Sequence, residues 1–381
     1  METTSLDQRR AFVRAYGTGM WSMSELCERF EISRPTGYKW WARWRADGEA
    51  GLANRPCAPH VSPHRTEARL EALLVAARQQ YGWGATKLLA VLQRRYPRHP
   101  WPTRSTVNAL LGRRGLLRKQ RRTRRWPHAG ASPLETTAPN QVWPADFKGQ
   151  FKTGDGDGVY CYPLTVTDHF SRAVLLCRAL RSTKTPETRA AFVALFREMG
   201  LPDAIRTDNG APFASTAWHG LSPLNVWWMQ LGIVHQRIRP GHPQANGTHE
   251  RMHRELKRET AVPAADTARA QQRRFDAFRR RYNEERPHEA LANQTPATRW
   301  SPSPRPYPER IAPPEYPTHF EVRRIRASGT FRFHGLDPFV SHALEGTDIG
   351  LEEVVEGVWN IVYYRTVLGR LDERSGLITA G

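Results

Sequence analysis

Apolar positions recur every three or four residues over the first third of the chain, the spacing of amphipathic helices, and change beyond Asn140 to the short runs and alternations of strands. Ser22–Phe30 forms one helical set, Glu31–Ser33 a tight connection, and Arg34–Arg45 a second helix with Ser33 as its N-cap. On that helix Gly37, Tyr38, Trp41 and Trp44 are expected inward, and Thr36, Lys39, Trp40 and Arg43 outward. So short a connection makes either a plain hairpin or a helix-turn-helix whose second helix enters a DNA major groove. A second helical unit is predicted as Thr66–Tyr81, Ala85–Tyr96 and Thr103–Arg114, broken by Gly82-Trp-Gly84 and a Pro-rich turn. Arg104 stands at what reads as the start of another recognition helix.

The strands Gln141–Phe151, Val159–Thr167 and Arg172–Leu180 come next, the first two joined by a Gly/Asp-rich hairpin turn, Thr153 to Gly158. A helix Pro186–Met199, a strand Ala204–Thr207, a helix Pro223–Leu231, a strand Ile233–Ile238, a helix over 247–261 and a last helix Thr267–Glu285 complete a mixed α/β sheet with helices on its faces. Thr295–Pro317 holds eight prolines without a regular period and reads as a stiff linker. Beyond it, Phe320–Ile325, Thr330–Phe333, Asp337–Val340, Val358–Tyr364 and Thr366–Leu371 predict a small all-β barrel or sandwich.

Charge sharpens this picture. Lys and Arg number 57 against 37 acids in 381 residues, a net charge of +20, so a polyanion is the expected partner and double-stranded DNA the commonest one. Arg113–Arg125 carries eight bases in thirteen positions and no acid, an arm suited to phosphate contact through Arg121, Arg122, Arg124 and Arg125. Arg34, Thr36, Lys39 and Arg43 are the matching candidates on the second N-terminal helix. With no run of eighteen apolar residues and no charged-then-apolar leader, the chain is expected to be soluble and intracellular, with no membrane partner. The cysteines Cys27, Cys57, Cys161 and Cys177 show no C-x-x-C spacing and are expected to be reduced core thiols.

Three acids interrupt the basic background. Asp146 lies inside a predicted strand, where an aspartate is disfavoured and a half-buried carboxylate needs a partner. Asp208 ends a strand and begins Asp-Asn-Gly, which suits either a ligand or an ordinary turn. Glu250 shares a helical stripe with His253, Arg254 and Lys257, while Met252, Leu256 and Glu259 point the other way. Read alone, that stripe is a solvated face with Glu250 paired to Arg254. Were the strands of Asp146 and Asp208 neighbours, both carboxylates would enter one cleft and Glu250 would complete it. Three close carboxylates repel unless cations neutralise them, and oxygen donors without Cys or His favour Mg²⁺ or Mn²⁺, two ions in all. Arg254, Lys257 and His253 would then hold the nucleic-acid backbone. Asp168 is expected as a strand-end or supporting acid near Arg172, and His235, His242 and His249 as polar loop or phosphate contacts.

Four motifs in order carry a resemblance. Trp143-x-x-Asp146-Phe, Thr207-Asp-Asn-Gly-x-x-Phe213, Gly241-His-Pro-Gln-Ala-Asn-Gly-x-x-Glu250 continuing to Leu256-Lys257, and Tyr282-Asn-x-x-Arg-Pro-His-x-x-Leu291 resemble the signatures of the DDE transposases of bacterial insertion sequences, which have a retroviral-integrase-like, ribonuclease H-like core. The resemblance implies Asp146, Asp208 and Glu250 as the metal-binding catalytic triad, Asn209 and Asn246 close by, and Lys257 on DNA. It also implies cleavage at element ends and strand transfer by a dimer or tetramer on DNA. The 42 positions from Asp208 to Glu250 exceed the family's usual spacing, which places a small insertion at Ala214–Leu224. The expected domains are a helix-turn-helix (1–58), a second helical unit with the basic arm (62–127), the catalytic core (138–292), the linker (293–317) and the β domain (318–381). A non-catalytic DNA-binding regulator and a hydrolytic nuclease of the same core fold are the rival readings.

Overall fold

The structure, a computed structural model, describes residues 4–55, 65–117, 135–154, 159–214, 221–238 and 247–379. The chain divides into two units, Met1–Glu67 and Ala68–Gly381. The first holds α1 (Ser5–Gly17), α2 (Met23–Arg29) and α3 (Arg34–Asp47). Thr4 and Ser22 close capping boxes on α1 and α2, which satisfies the amides that a helix start leaves free. Gly37 is the closest approach of α3: a methyl group there would meet Cys27 Sγ and Met23 Sδ at 2.7 Å. That contact turns α3 so that Trp40, expected outward, is buried, while Tyr38 and Trp44, expected inward, are exposed. Trp40 is covered by Arg9, whose Cζ lies 4.0 Å from the ring centre, and by Lys39 and Arg43.

The second unit begins with α4 (Ala68–Tyr81), α5 (Ala85–Arg95) and α6 (Arg104–Arg113), packed through Leu74, Leu88, Val107 and Leu111. A mixed sheet follows: β1 (Val142–Phe147), β2 (Phe151–Lys152), β3 (Tyr160–Thr167), β4 (Val174–Leu180), β5 (Ala204–Thr207) and β6 (Val234–Arg237). Its order is β2-β3-β1-β5-β6, with β4 added beside β3. β1 runs antiparallel to β3 and parallel to β5. Pro144, lacking a ladder N–H, falls where the paired residues of β1 pass from β5 to β3. The Gly/Asp-rich turn between β2 and β3 lies, over 155–158, outside the described residues.

Alternation along the strands sorts the side chains to two faces. Trp143, Ala145, Leu164 and Val166 pack against Phe192 and Phe196 of α7 (Thr185–Met199) and against Trp227 and Trp228 of α8 (Pro223–Gln230). On the other face Cys161, Val174 and Cys177 meet Met252 and Leu256 of α9 (Gly247–Leu256) and Phe275 and Phe278 of α10 (Ala268–Arg280). α9 continues into a wide π-type turn, Lys257–Ala261. Cys27, Cys161 and Cys177 are buried free thiols; Cys57 lies outside the described residues.

The Pro-rich segment is a strap on the core and not a free linker. Ser303 N donates to the Met199 carbonyl at 2.8 Å, Arg305 Nη1 to that of Pro202 at 2.7 Å, and Trp300, Tyr307 and Ile311 pack on the aromatic core. The C-terminal strands are β7 (Glu321–Arg324), β8 (Asp348–Val355), β9 (Val358–Tyr363), β10 (Thr366–Asp372) and β11 (Ile378–Thr379). They pair as an antiparallel sheet in the order β11-β10-β9-β8-β7; no pairing that would close it into a barrel is found among the described residues. Thr330–Phe333 and Asp337–Val340, expected as strands, contribute single bridges only. The sheet rests on α8 through Val226, and Gln230 Nε2 donates to Tyr363 Oη at 2.8 Å. No helix among the described residues is long and apolar enough to cross a membrane.

Asn140, just before β1, holds several layers together. Its Oδ1 accepts from the indole N–H of Trp143 and of Trp300, both at 3.2 Å, and its Nδ2 donates to the Ser301 carbonyl at 2.9 Å. Asn140→Ala leaves two indole donors unpaired and should lower the unfolding free energy by about 2–4 kcal/mol, read by urea denaturation.

Candidate metal centre

Asp146 and Thr165 are register partners on β1 and β3, so the Asp146 side chain shares the face that α9 covers, opposite Trp143 and Ala145. β1 and β5 pair at Val142↔Ala204, Trp143↔Ile205 and Pro144↔Arg206. The same register continued two residues onward sets Asp208, just past β5, beside Asp146. Both acids therefore stand at the carboxyl ends of adjacent parallel strands, where open α/β sheets leave a crevice. Gly210 lets Asp208 fold back on its own turn: its N–H donates to Asp208 Oδ1 at 3.1 Å, and a methyl group on Gly210 would press on that carboxylate at 3.3 Å. Asn209 donates from Nδ2 to the Ile238 carbonyl at 2.9 Å, tying this turn to the end of β6.

Glu250 lies exposed in the first turn of α9 and lines, with Asp146, a cleft of about 850 Å³. Lys148, Arg254, Lys257 and Arg258 line the same cleft. Burial pushes the Asp146 carboxyl up to about 7; the negative charge of Asp208 adds to that shift and Glu250 adds a smaller part, against lowering by the Phe147 amide and Lys148. The Asp146 carboxyl thus feels the charge of both Asp208 and Glu250.

The stripe on α9 differs from its sequence reading. His249, Met252, His253 and Leu256 form the buried face, and Glu250, Arg254 and Lys257 the exposed one. His253 belongs to the core because Thr165 supplies a hydrogen-bond partner there: its Nε2 lies 2.6 Å from Thr165 Oγ1. Burial, with smaller contributions from His249 and Lys148, drives its pKa down to about 2, so it is neutral and no cation for phosphate. His249 is likewise buried, its pKa lowered to about 3 by burial, and is no surface phosphate contact. His235 is driven down to about 4, by burial first and then by Arg237, and its Nε2 lies 2.8 Å from Thr207 Oγ1.

Two donor sets deserve comparison as cation sites. Asp146, His249 and His253 bring ligand atoms within 4.8 Å of one another. Both ring nitrogens of His249 are already engaged, Nε2 with Thr165 Oγ1 at 2.8 Å and Nδ1 with Thr167 Oγ1 at 3.0 Å, so it has no lone pair for a metal. The carboxylates of Asp146, Asp208 and Glu250 offer hard oxygen donors and an excess of negative charge, which fits Mg²⁺ or Mn²⁺. Glu255 and Glu259, the other acids of this stretch, are engaged by arginines: Glu255 by Arg286 and Arg258, Glu259 by Arg281 and Arg258. Asp168 is buried and holds the Asn140 amide, the Ser171 amide and the Ser171 hydroxyl at 2.6–2.8 Å, so it braces the start of β1.

The comparisons with known proteins follow this geometry. Two integrase core domain families match, at residues 136–243 and 231–296, a helix-turn-helix domain matches 8–60 and a homeodomain-like domain 36–111. An insertion element IS476 uncharacterized 39.2 kDa protein of Xanthomonas euvesicatoria is 31% identical over 48% of this chain and 50% of its own length. An insertion element IS407 uncharacterized 31.7 kDa protein of Burkholderia multivorans is 28% identical over 61% of this chain and 81% of its own. The chain thus carries integrase core and helix-turn-helix domains and is similar to insertion-element proteins. It spans half the length of the first of these relatives. Among solved structures, the HTLV-2 integrase catalytic core domain in complex with magnesium is 20% identical, with a TM-score of 0.34, covering 44% of this chain and 99% of that one.

The other candidate positions are placed as follows. Arg34 and Lys39 are exposed on α3, with Thr36 and Arg43 half-buried beside them; Arg104 is exposed in the first turn of α6. Arg121, Arg122, Arg124, Arg125, Asn246 and His242 lie outside the described residues, as does most of the proposed insertion (215–220). Sequence reading missed Lys148 as a cleft residue and Thr165 as the partner of two histidines. The two-residue spacing from Asp146 signals the first, and the alternation of β3 the second. The Tyr282–Leu291 motif proves to be a brace: Asn283 takes the Val174 amide and returns its own N–H to the Val174 carbonyl, at 2.8 and 2.9 Å, and Arg286 holds Glu255 on α9 at 2.8 Å.

A pH dependence follows from Asp146. Between the ordinary value of 3.8 and about 7, the folded protein keeps a proton that the unfolded chain has lost, so stability falls as pH rises through that window. In chelator-containing buffer, Asp146→Asn should abolish this slope, and its melting temperature should gain on the wild type steadily from pH 4 to pH 7. Parallel curves would contradict the assignment.

Proposed function

We propose that this chain binds the terminal inverted repeats of its element through the N-terminal helices, cleaves DNA at the element's 3′ ends and joins the freed 3′-hydroxyl to target DNA. The observation that carries the reading is that Asp146 and Glu250 line one cleft with Lys148, Arg254, Lys257 and Arg258, while the charge of Asp208 acts on the Asp146 carboxyl. In this reading Asp146, Asp208 and Glu250 hold two Mg²⁺ or Mn²⁺ ions. Such ions, when bound, activate a water or a 3′-hydroxyl and stabilise the leaving oxygen of a phosphodiester. The protein's own part is placement. Arg254 and Lys257, one turn apart and exposed, hold the phosphate backbone over the acids. Burial of Asp146 keeps its carboxylate poorly hydrated and so receptive to a cation. Arg34, Thr36, Lys39 and Arg43 on α3, Arg104 on α6 and the basic arm with Arg121, Arg122, Arg124 and Arg125 supply the longer DNA footprint. Asn209 and Asn246 support the acids.

The five-part domain division, a closed C-terminal barrel, a nucleoid-associated cytoplasmic location and assembly as a dimer or tetramer on DNA belong to the same proposal. Both element ends have to be held at once, which a symmetric multimer achieves.

The test is nicking and joining of a supercoiled plasmid carrying candidate ends. Wild type should give Mg²⁺-dependent cleaved and joined products. Asp146→Asn and Glu250→Gln should each lose at least about 100-fold in cleavage, because each removes several kcal/mol of charge stabilisation, with end binding in a mobility-shift assay unchanged. Binding without cleavage by the wild type would favour a DNA-binding regulator, cleavage without joining a hydrolytic nuclease. Undiminished cleavage by Asp146→Asn would overturn the site.

A further inference from the structure

Thr165 Oγ1 sits at the centre of a buried three-way junction. It lies 3.1 Å from the main-chain carbonyl oxygen of Asp146, 2.8 Å from His249 Nε2 and 2.6 Å from His253 Nε2. The residues at this junction other than Asp146 are all buried. A hydroxyl has one hydrogen to give and two lone pairs to receive. The Asp146 carbonyl can only accept, so it takes the Thr165 hydrogen. Both histidines must then donate from Nε2. That assignment leaves lone pairs on both Nδ1 atoms. The one on His249 accepts from Thr167 Oγ1 at 3.0 Å; the one on His253 faces Asp146 Oδ2 at 3.7 Å, too far for a hydrogen bond. One arrangement of hydrogens therefore satisfies every contact.

We propose that Thr165, with His249 and His253, is a positioning device that locks the helix bearing Glu250 onto the strand bearing Asp146, and so sets the separation of the two acids for divalent cations. It rests on the reading of these acids as the cation site. The junction joins three elements: β1 through the Asp146 carbonyl, β3 through Thr165, and α9 through two histidines one turn apart. Glu250 follows His249 directly, so a shift of that ring moves the carboxylate with it. Packing alone does not supply this. Met252 and Leu256 press α9 on the sheet, yet an apolar contact tolerates sliding along the helix axis where a directional hydrogen bond does not. The residues named here act through the acids and are not themselves ligands.

The experiment is Mn²⁺ binding to the full chain without DNA, followed by loss of the free-ion electron paramagnetic resonance signal, beside plasmid cleavage as a function of Mn²⁺ concentration. Thr165→Ser keeps the hydroxyl and should bind within about two-fold of wild type. Thr165→Val should weaken Mn²⁺ binding by about 10-fold or more, the usual scale for groups that orient metal ligands, and move the cleavage curve to higher Mn²⁺ by the same factor while end binding stays unchanged. Should Thr165→Val fail to fold by circular dichroism, His253→Leu, close in volume, should show the same shift. Mn²⁺ affinity equal to wild type in the folded variants overturns the positioning role and leaves the functional reading standing. Absence of Mn²⁺ binding in the wild type overturns both.

Discussion

Mutual repulsion between Asp146 and Asp208, added to the partial burial of Asp146, is the tension that the rest of the second unit has to contain. Burial raises the Asp146 carboxyl first and the neighbouring charge adds to it, so an ionised carboxylate at this end of the sheet is costly unless something offsets it. The fold offsets this with bulk. Trp143, Phe192, Phe196, Trp227 and Trp228 interlock on the opposite face, and each large ring buried there contributes a few kcal/mol. Asn140 and the Pro-rich strap then tie the start of β1 to the far side of the core. The acids rest on a rigid platform, which suits a site whose occupants must be held at fixed separation.

The positive charge has a complementary distribution. Around the cleft it is carried by Lys148, Arg254, Lys257 and Arg258, which line it together with Asp146 and Glu250. Other cations are committed to architecture: Arg286 and Arg281 hold acids of the α9 region, Arg197 pairs with Glu309 of the strap, and Arg305 fastens the strap to three carbonyls near α7 and α8. The net charge of +20 therefore includes bases already engaged inside the fold. The exposed bases on α3, α6 and α9 are among those free to attract a polyanion.

Much of the fold was legible from pattern. The strand Ala204–Thr207 and the helices from Thr185, Pro223 and Ala268 lie within a residue or two of their expected positions, because Pro, Gly and capping residues mark their ends. The alternation Trp143, Ala145 against Pro144, Asp146 already separates a core face from a chemical face. What misled was periodicity where two apolar faces compete. Trp40 and Tyr38 exchanged places because the close contact at Gly37 turns α3. His253 moved from the charged stripe to the core because a threonine eighty-eight positions earlier in the chain offers its hydroxyl. The Pro-rich segment read as a linker because its backbone and side-chain hydrogen bonds go to residues about a hundred positions away.

The sequence by itself determined the kinds of chemistry available: three acids in a basic chain, on a strand, a strand end and a helix start, with motifs that name the family. These are local properties, carried by residue type and spacing along one element. Only the tertiary structure decided which acids share a cleft, which histidines are neutral and buried, and that Thr165 links the two elements bearing Asp146 and Glu250. Burial and long-range hydrogen bonds depend on what the opposite element supplies, and no window along the chain contains both partners.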